Sequence, residues 1–368
     1  MRFFRQGLFL DLIIATISMK LKQISNFVEP IFEKVFGFSD EHQKAGLYTL
    51  TNADGMQLRV SDFGATIISL QIPLKSGEMV DVVCGFDSLQ DYIDSYSLPS
   101  APYFGTTVGR YAGRIAGGRF SLNAKQIVLN ANQGSNTLHG GNVGFGRKMW
   151  EVKRMVPGNN PSITFGLVSP DEDEHFPGEL TVELTYTLSE SNELILEYKA
   201  ITSRDTVVNL THHSYFNLDG HESSVLDQEL TVNSDRILEL DDENIPTGEY
   251  ISLNGHKFDF SSAKKVPESI DNTFVLEGDY GLAATLFSPK NKLRMSVHTN
   301  QPSVHIYVGG NCFGKLAGKN AAAYHKTSGI CFETQNYPDA PNHANFPSAV
   351  LKKDSIYYHK TIYKFHAY

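Results

Sequence analysis

Residues Thr181–Leu188 read TVELTYTL, a strict alternation that puts Val182, Leu184, Tyr186 and Leu188 on one face and threonines and Glu183 on the other. Leu194, Leu196 and Tyr198 repeat the device just past Ser191-Asn192. A side-chain period of two fits a half-buried strand and no helix, so the segment predicts a β-hairpin. From about residue 45 onward the same signal recurs at Gln57–Val60, Thr66–Leu74, Val80–Cys84, Met149–Met155, Ser162–Val168, Arg236–Leu240, Ala283–Phe287, Leu293–His298, Ser303–Val308, Ile330–Thr334 and Ser355–Phe365, with Gly, Asn, Asp and Pro between the runs. There is no long linker and no 20–50-residue repeat. The expectation is therefore all-β, one large antiparallel β-sandwich domain spanning residues 28–368. Two helices are expected besides: Lys20–Val35, interrupted by Pro30, and Leu89–Ser95, capped by Ser88.

Such a fold needs apolar material, and 41% hydrophobic against 20% charged residues supplies it, excluding a disordered or coiled-coil chain. The net charge of −9 lacks the basic excess that replaces phosphate counterions, so no nucleic acid is expected and the partner should be small or neutral. Cys84, Cys312 and Cys331 form neither a disulfide framework nor a thiolate metal site, which fits a reducing compartment such as the cytoplasm. Residues 1–27 stand apart as an N-terminal extension. Within them Arg2 and Arg5 precede the apolar run Gly7–Met19, interrupted by Asp11, which is too short to span a membrane. A non-native or alternative-start extension and a cleaved secretion signal both stay open for it. The sequon Asn209-Leu-Thr211 lies in an apolar-flanked run and reads as coincidental.

Polar residues inside otherwise apolar strands mark where chemistry sits on a β scaffold. Gly109–Phe120 carries Arg110, Arg114 and Arg119 among glycines, and Asn136–Trp150 carries His139 before a glycine-rich bend. The bend is not a phosphate-cradling Walker loop, because no Lys-Ser/Thr follows its last glycine. In Asn209–Asn217, period two would point His212 and His213 to opposite faces, which disfavours a metal held by both. In Gly329–Pro338, Glu333 stands among apolar or neutral neighbours, where a carboxylate must be bonded or put to use. Cys331, Glu333 and Gln335 share its face.

Together these segments resemble the galactose mutarotase (aldose 1-epimerase) family. VGRYAGRIAGGRF, NTLHGG, VNLTHHSYFNL, IDNTF, GKN and FETQNYPDAPN occur in family order from about Val28 to the C-terminus. The resemblance implies a galactose mutarotase-like β-sandwich, with Glu333 as catalytic base and His213 as catalytic acid. It also implies Arg114, His139 and Asp271 as substrate-binding partners of a free aldohexose, with no metal or organic cofactor, in a monomer or weak homodimer. Three positions depart from the family pattern: Gly113 and His212 stand where Asn is usual, and His305, in VHIYV, stands where Gln is usual. With Tyr307 on its face, His305 is expected to turn toward the sugar and to bond it in place of the amide. Two other readings are a hexose-6-phosphate epimerase, holding its phosphate through Arg110, Arg114 and Arg119, and a catalytically weak sugar binder.

Overall fold

The computed structural model describes residues 30–278, 280–309 and 317–368, so Cys312 and the whole N-terminal extension lie outside the described residues. Three antiparallel sheets of five, nine and six strands dominate, with short two-stranded ladders between them. No helix among the described residues is long and apolar enough to cross a membrane.

The TVELTYTL hairpin forms the middle of the nine-stranded sheet. Leu180–Ser189 pairs with Glu193–Thr202 in unbroken register from Leu180↔Thr202 to Ser189↔Glu193. Its three-residue turn closes on Asn192 at φ 58°, a left-handed position that asparagine tolerates. The apolar side of the hairpin, Val182, Leu184, Tyr186, Leu188, Leu194, Leu196 and Tyr198, is buried in one core with Phe274, Val304, Ile306, Ile330 and Phe332 of the six-stranded sheet. Sheet packs on sheet through these inner faces, and that packing makes the sandwich.

The six-stranded sheet runs in the order Tyr215–Phe216, Ile330–Gln335, Ser303–Val308, Ile270–Val275, Arg236–Leu240, Pro246–Ser252. Three of its strands send alternate residues into the core, so period two leaves Asp271, Thr273, His305, Tyr307, Cys331, Glu333 and Gln335 on the other face. The helix Leu89–Ser95 forms where expected. Its cap, Ser88 Oγ, accepts from the Asp91 N–H at 3.2 Å, and its Leu89 and Tyr92 are buried.

Two expectations need correction. Of the helix Lys20–Val35, the part within the described residues is instead strand: Phe32–Phe38 pairs antiparallel with Lys44–Thr51 at the edge of the five-stranded sheet. Pairing with a neighbour from the next segment outweighs the local pattern there, and Phe36 turns onto Tyr92 with ring centroids 6.1 Å apart. The run Asn209–Asn217 is not one strand. Thr211–His212 pairs with Thr107–Val108, and Tyr215–Phe216 pairs with Ile330–Gln335. Between them the His213 N–H donates to the Thr106 carbonyl at 2.9 Å, and the His213 carbonyl accepts from Gly105 at 3.0 Å. The chain thus changes partner at the histidine.

Candidate active site

Cross-strand register builds the floor of the site. Thr273 lies opposite His305 and His305 opposite Glu333 on three adjacent strands. Above them opens a cavity of about 440 Å³ whose walls include Arg114, His139, His213, Asp271, His305 and Glu333. All six residues singled out from the sequence therefore border one space. The sequon is closed to modification in the folded chain, because Asn209 is fully buried and its Nδ2 donates to the carbonyls of Ala112 and Asn336.

Arg114 and His139 arrive on a two-stranded ladder, Arg114–Ile115 with Thr137–Leu138. His139 then turns at φ 51°, followed by Gly140 at 89° and Gly141 at 106°. Only glycine suits these two places, since a Cβ at Gly140 would strike the Gly109 carbonyl and one at Gly141 the Glu174 carboxylate. Glu174 secures the bend by accepting from Asn142 N at 3.1 Å, Val143 N at 2.8 Å and Asn130 Nδ2 at 2.9 Å. Gly113 has its own reason to be glycine. Its φ is 76°, and a Cβ would sit 2.9 Å from Pro338. Its N–H donates to His139 Nδ1 at 3.2 Å.

That last bond settles what His139 can do. An imidazole that accepts at Nδ1 carries its proton at Nε2 and is neutral. Burial, followed by the charges of His213, Arg114 and His305, holds His139 well below the ordinary histidine range. It is a fixed donor to the cavity. Nitrogens of His139 and His213 and an oxygen of Glu333 all lie within 4.8 Å of one another, the density of a metal site. Ligation through His139 Nε2 would need the proton moved to Nδ1, against the Gly113 N–H, so the third ligand is blocked.

His213 and Glu333 face each other, with Nε2 and Oε1 3.5 Å apart and both side chains nearly inaccessible. His213 stacks against Tyr215 and Tyr103, with ring centroids 5.2 and 5.9 Å away. Behind it, Cys331 Sγ lies 3.6 Å from Nδ1. Burial, then Glu333, keeps that thiol well above its usual range, so it stays protonated, and its sulfur can accept from Nδ1–H when His213 carries the acid's proton, leaving Nε2–H toward Glu333. His212 turns away from the cavity, as alternation requires. It bonds Ser214 Oγ through Nδ1 at 3.1 Å, and burial, then His213, pushes its pKa down to about 3.

His305 differs from expectation in its bonding. It borders the cavity, but Nε2 lies 2.9 Å from Asp271 Oδ1 and Nδ1 lies 2.9 Å from Thr273 Oγ1, so both nitrogens face protein. The arginines also part company. Only Arg114 of the three borders the cavity, bonding Gln133 Oε1 at 2.7 Å through Nε. Arg110 is buried against backbone carbonyls of residues 169–178, and Arg119 is exposed. Tyr103, Thr273 and Glu174 were not singled out from the sequence. Each sits in a loop or on an adjacent strand whose approach is set by tertiary pairing, and no local pattern marks it.

The aldose 1-epimerase family model matches residues 46–364. Galactose mutarotase from Bos taurus is 39% identical over 324 residues, 85% of this chain and 92% of that one. The aldose 1-epimerase of Escherichia coli (strain K12) is 34% identical over 336 residues, 87% and 94% of the two chains. Among solved structures, an aldose epimerase homologue from C. elegans superposes with a TM-score of 0.81 at 30% identity, covering 88% of this chain and 99% of that one. With the fold, the motifs and the cavity in agreement, the chain belongs to the aldose 1-epimerase family.

Proposed function

We propose that this chain interconverts the α and β anomers of free aldohexoses such as galactose and glucose, with Glu333 as general base and His213 as general acid. The observation that carries this reading is the opposed Glu333–His213 pair, 3.5 Å apart on the floor of a cavity whose other polar groups suit hydroxyls. Glu333 takes the proton of the C1 hydroxyl, and the C1–O5 bond breaks as the C1 carbonyl forms. The electron pair left on O5 takes the His213 proton. Rotation about C1–C2 turns the other carbonyl face to O5. Reclosure then runs the same transfers backward: His213 recovers the O5 proton and Glu333 returns its own to the C1 oxygen. Arg114 and His139 Nε2–H donate to ring hydroxyls while Asp271 accepts from them. This sequence calls for no metal or organic cofactor.

The cavity is lined by segments that run from Tyr96 to Pro338, which supports a single domain over residues 28–368. Cys84 and Cys331, free and buried, fit a reducing compartment such as the cytoplasm. The sugar-phosphate reading loses support because Arg110 is committed to carbonyls and Arg119 lies outside the cavity.

The deciding experiment is polarimetry of freshly dissolved α-galactose, with glucose and glucose 6-phosphate in parallel. Acceleration of the free hexoses above buffer is expected. No acceleration at high enzyme concentration overturns the reading, and calorimetric galactose binding without mutarotation would select the non-catalytic one.

A further inference from the structure

Asp271 and His305 sit on neighbouring strands, offset by one step on the same face. Their register puts Thr273 directly across from His305 on one side and Glu333 directly across on the other. The imidazole is thus bracketed by three oxygen-bearing side chains. Two of them take its nitrogens, Asp271 Oδ1 at Nε2 and Thr273 Oγ1 at Nδ1, both at 2.9 Å. Neither nitrogen is left for a sugar.

We propose that His305 is a positioning residue: it pins the Asp271 carboxylate at the cavity wall and supplies a positive charge shared by Asp271 and Glu333. The inference rests on reading Glu333 as the base. Thr273 makes the clamp indifferent to protonation. Against a neutral imidazole the threonine hydroxyl donates to Nδ1, and against imidazolium it turns and accepts, so Nε2–H holds Asp271 in both states. Only the charge changes. The charged and titratable groups facing His305 are Asp271 from one strand, Glu333 from the other, Arg114 from its two-stranded ladder, and His139 and His213 from the opposite wall. Two carboxylates therefore outnumber the one fixed cation.

The electrostatics agree with the geometry. Burial alone would depress His305, but its bond to Asp271, the Asp271 charge and then Glu333 lift it above the ordinary histidine value despite Arg114. Burial would likewise raise Asp271, yet the His305 bond and charge, followed by Arg114 and His213, hold it below the usual carboxylate range. A cation beside a carboxylate favours its ionised form, which is the form a base needs.

Two measurements test this. In the first, the His305 ring protons are titrated by NMR in the wild-type chain, assigned through contacts to Thr273, and again in Asp271→Asn. His305 should titrate above an ordinary histidine and fall in the variant. A normal or low midpoint, or no response to Asp271→Asn, overturns the proposal. The second is the pH dependence of kcat/KM in His305→Gln and His305→Leu. Loss of the cation should move the acid limb upward by about one pH unit in both. The Gln variant retains an N–H for Asp271, so its KM should rise less than that of Leu. Limbs that coincide with wild type, or equal KM losses in the two variants, would mark His305 as merely structural. If wild type itself fails to mutarotate, the functional reading falls, while the NMR titration still decides the Asp271–His305 pair.

Discussion

At the residue scale the reaction depends on two side chains that are 2% and 4% exposed, Glu333 and His213. Glu333→Gln keeps shape and one oxygen but removes the proton acceptor. It should cut kcat by about 10²–10⁴-fold while calorimetry still finds sugar bound, because positioned acid–base groups act mainly on the transition state. Retention of most of kcat would assign the base elsewhere. His213→Asn should fall by a similar factor. A different residue, Asp62, offers a test of stability. Burial, against bonds from the Gly46 N–H and the Tyr48 hydroxyl, raises its pKa to about 6 from 3.8. A carboxyl whose folded pKa exceeds its unfolded one binds its proton more tightly when folded, so this group's stabilisation is complete below about pH 4 and is lost as pH rises toward 6. Asp62→Asn should remove that loss. On going from pH 4 to pH 7 the urea midpoint of the variant should therefore gain relative to that of wild type, and an equal change in both would refute the assignment.

At the element scale, the glycine-rich bend after Thr137–Leu138 bonds its Gly141 N–H to the Leu138 carbonyl but gives its Asn142 and Val143 amides to Glu174, from the connection after Ser162–Ser169. Glu174→Ala should loosen His139 and raise KM by about tenfold, the scale of losing one or two charge-assisted hydrogen bonds, with a smaller change in kcat. Polarimetric KM and kcat decide it, and a kcat loss larger than the KM rise would argue for a direct role in the chemistry. The same bend shows where sequence reading stops. Strands were legible wherever alternation alone sets the buried face: Ser303–Val308, Arg236–Leu240 and the helix Leu89–Ser95 were expected at the bounds they adopt. Alternation also put Cys331, Glu333 and Gln335 on one face. It misled where pairing partner mattered more than local pattern, as at Phe32–Phe38, and where a strand changes sheets, as at His213. The bonding of His305 was illegible for a related reason. Asp271 and Thr273 are more than thirty positions away, and only the register between Ile270–Val275 and Ser303–Val308 brings them to its nitrogens.

At the scale of the whole molecule, the nine-stranded sheet meets the bend that carries His139 through a connection, residues 170–179, between Ser162–Ser169 and Leu180–Ser189. Arg110 holds it from one side. The guanidinium is buried and donates to the carbonyls of Ser169, Pro170, Pro177 and Gly178 and to Ser169 Oγ, while Phe176 lies under it at 5.7 Å. Burial lowers its pKa to about 10, with Asp173, Asp171 and Glu172 opposing, so it remains charged at pH 7. On the other side of the same connection Glu174 holds the bend that carries His139. Arg110 and Glu174 thus act in series, one fixing the connection and the other using it. Arg110→Met strands several buried carbonyls and should cost about 3–5 kcal/mol of stability, read from urea unfolding. It should also raise KM, although Arg110 itself makes no contact with the cavity. If the two residues act through one connection, the KM effects of Arg110→Met and Glu174→Ala will not add: the double variant should lie close to the worse single one. Additive effects would mean that the bend is held independently of the connection, and that the nine-stranded sheet does not govern the position of His139.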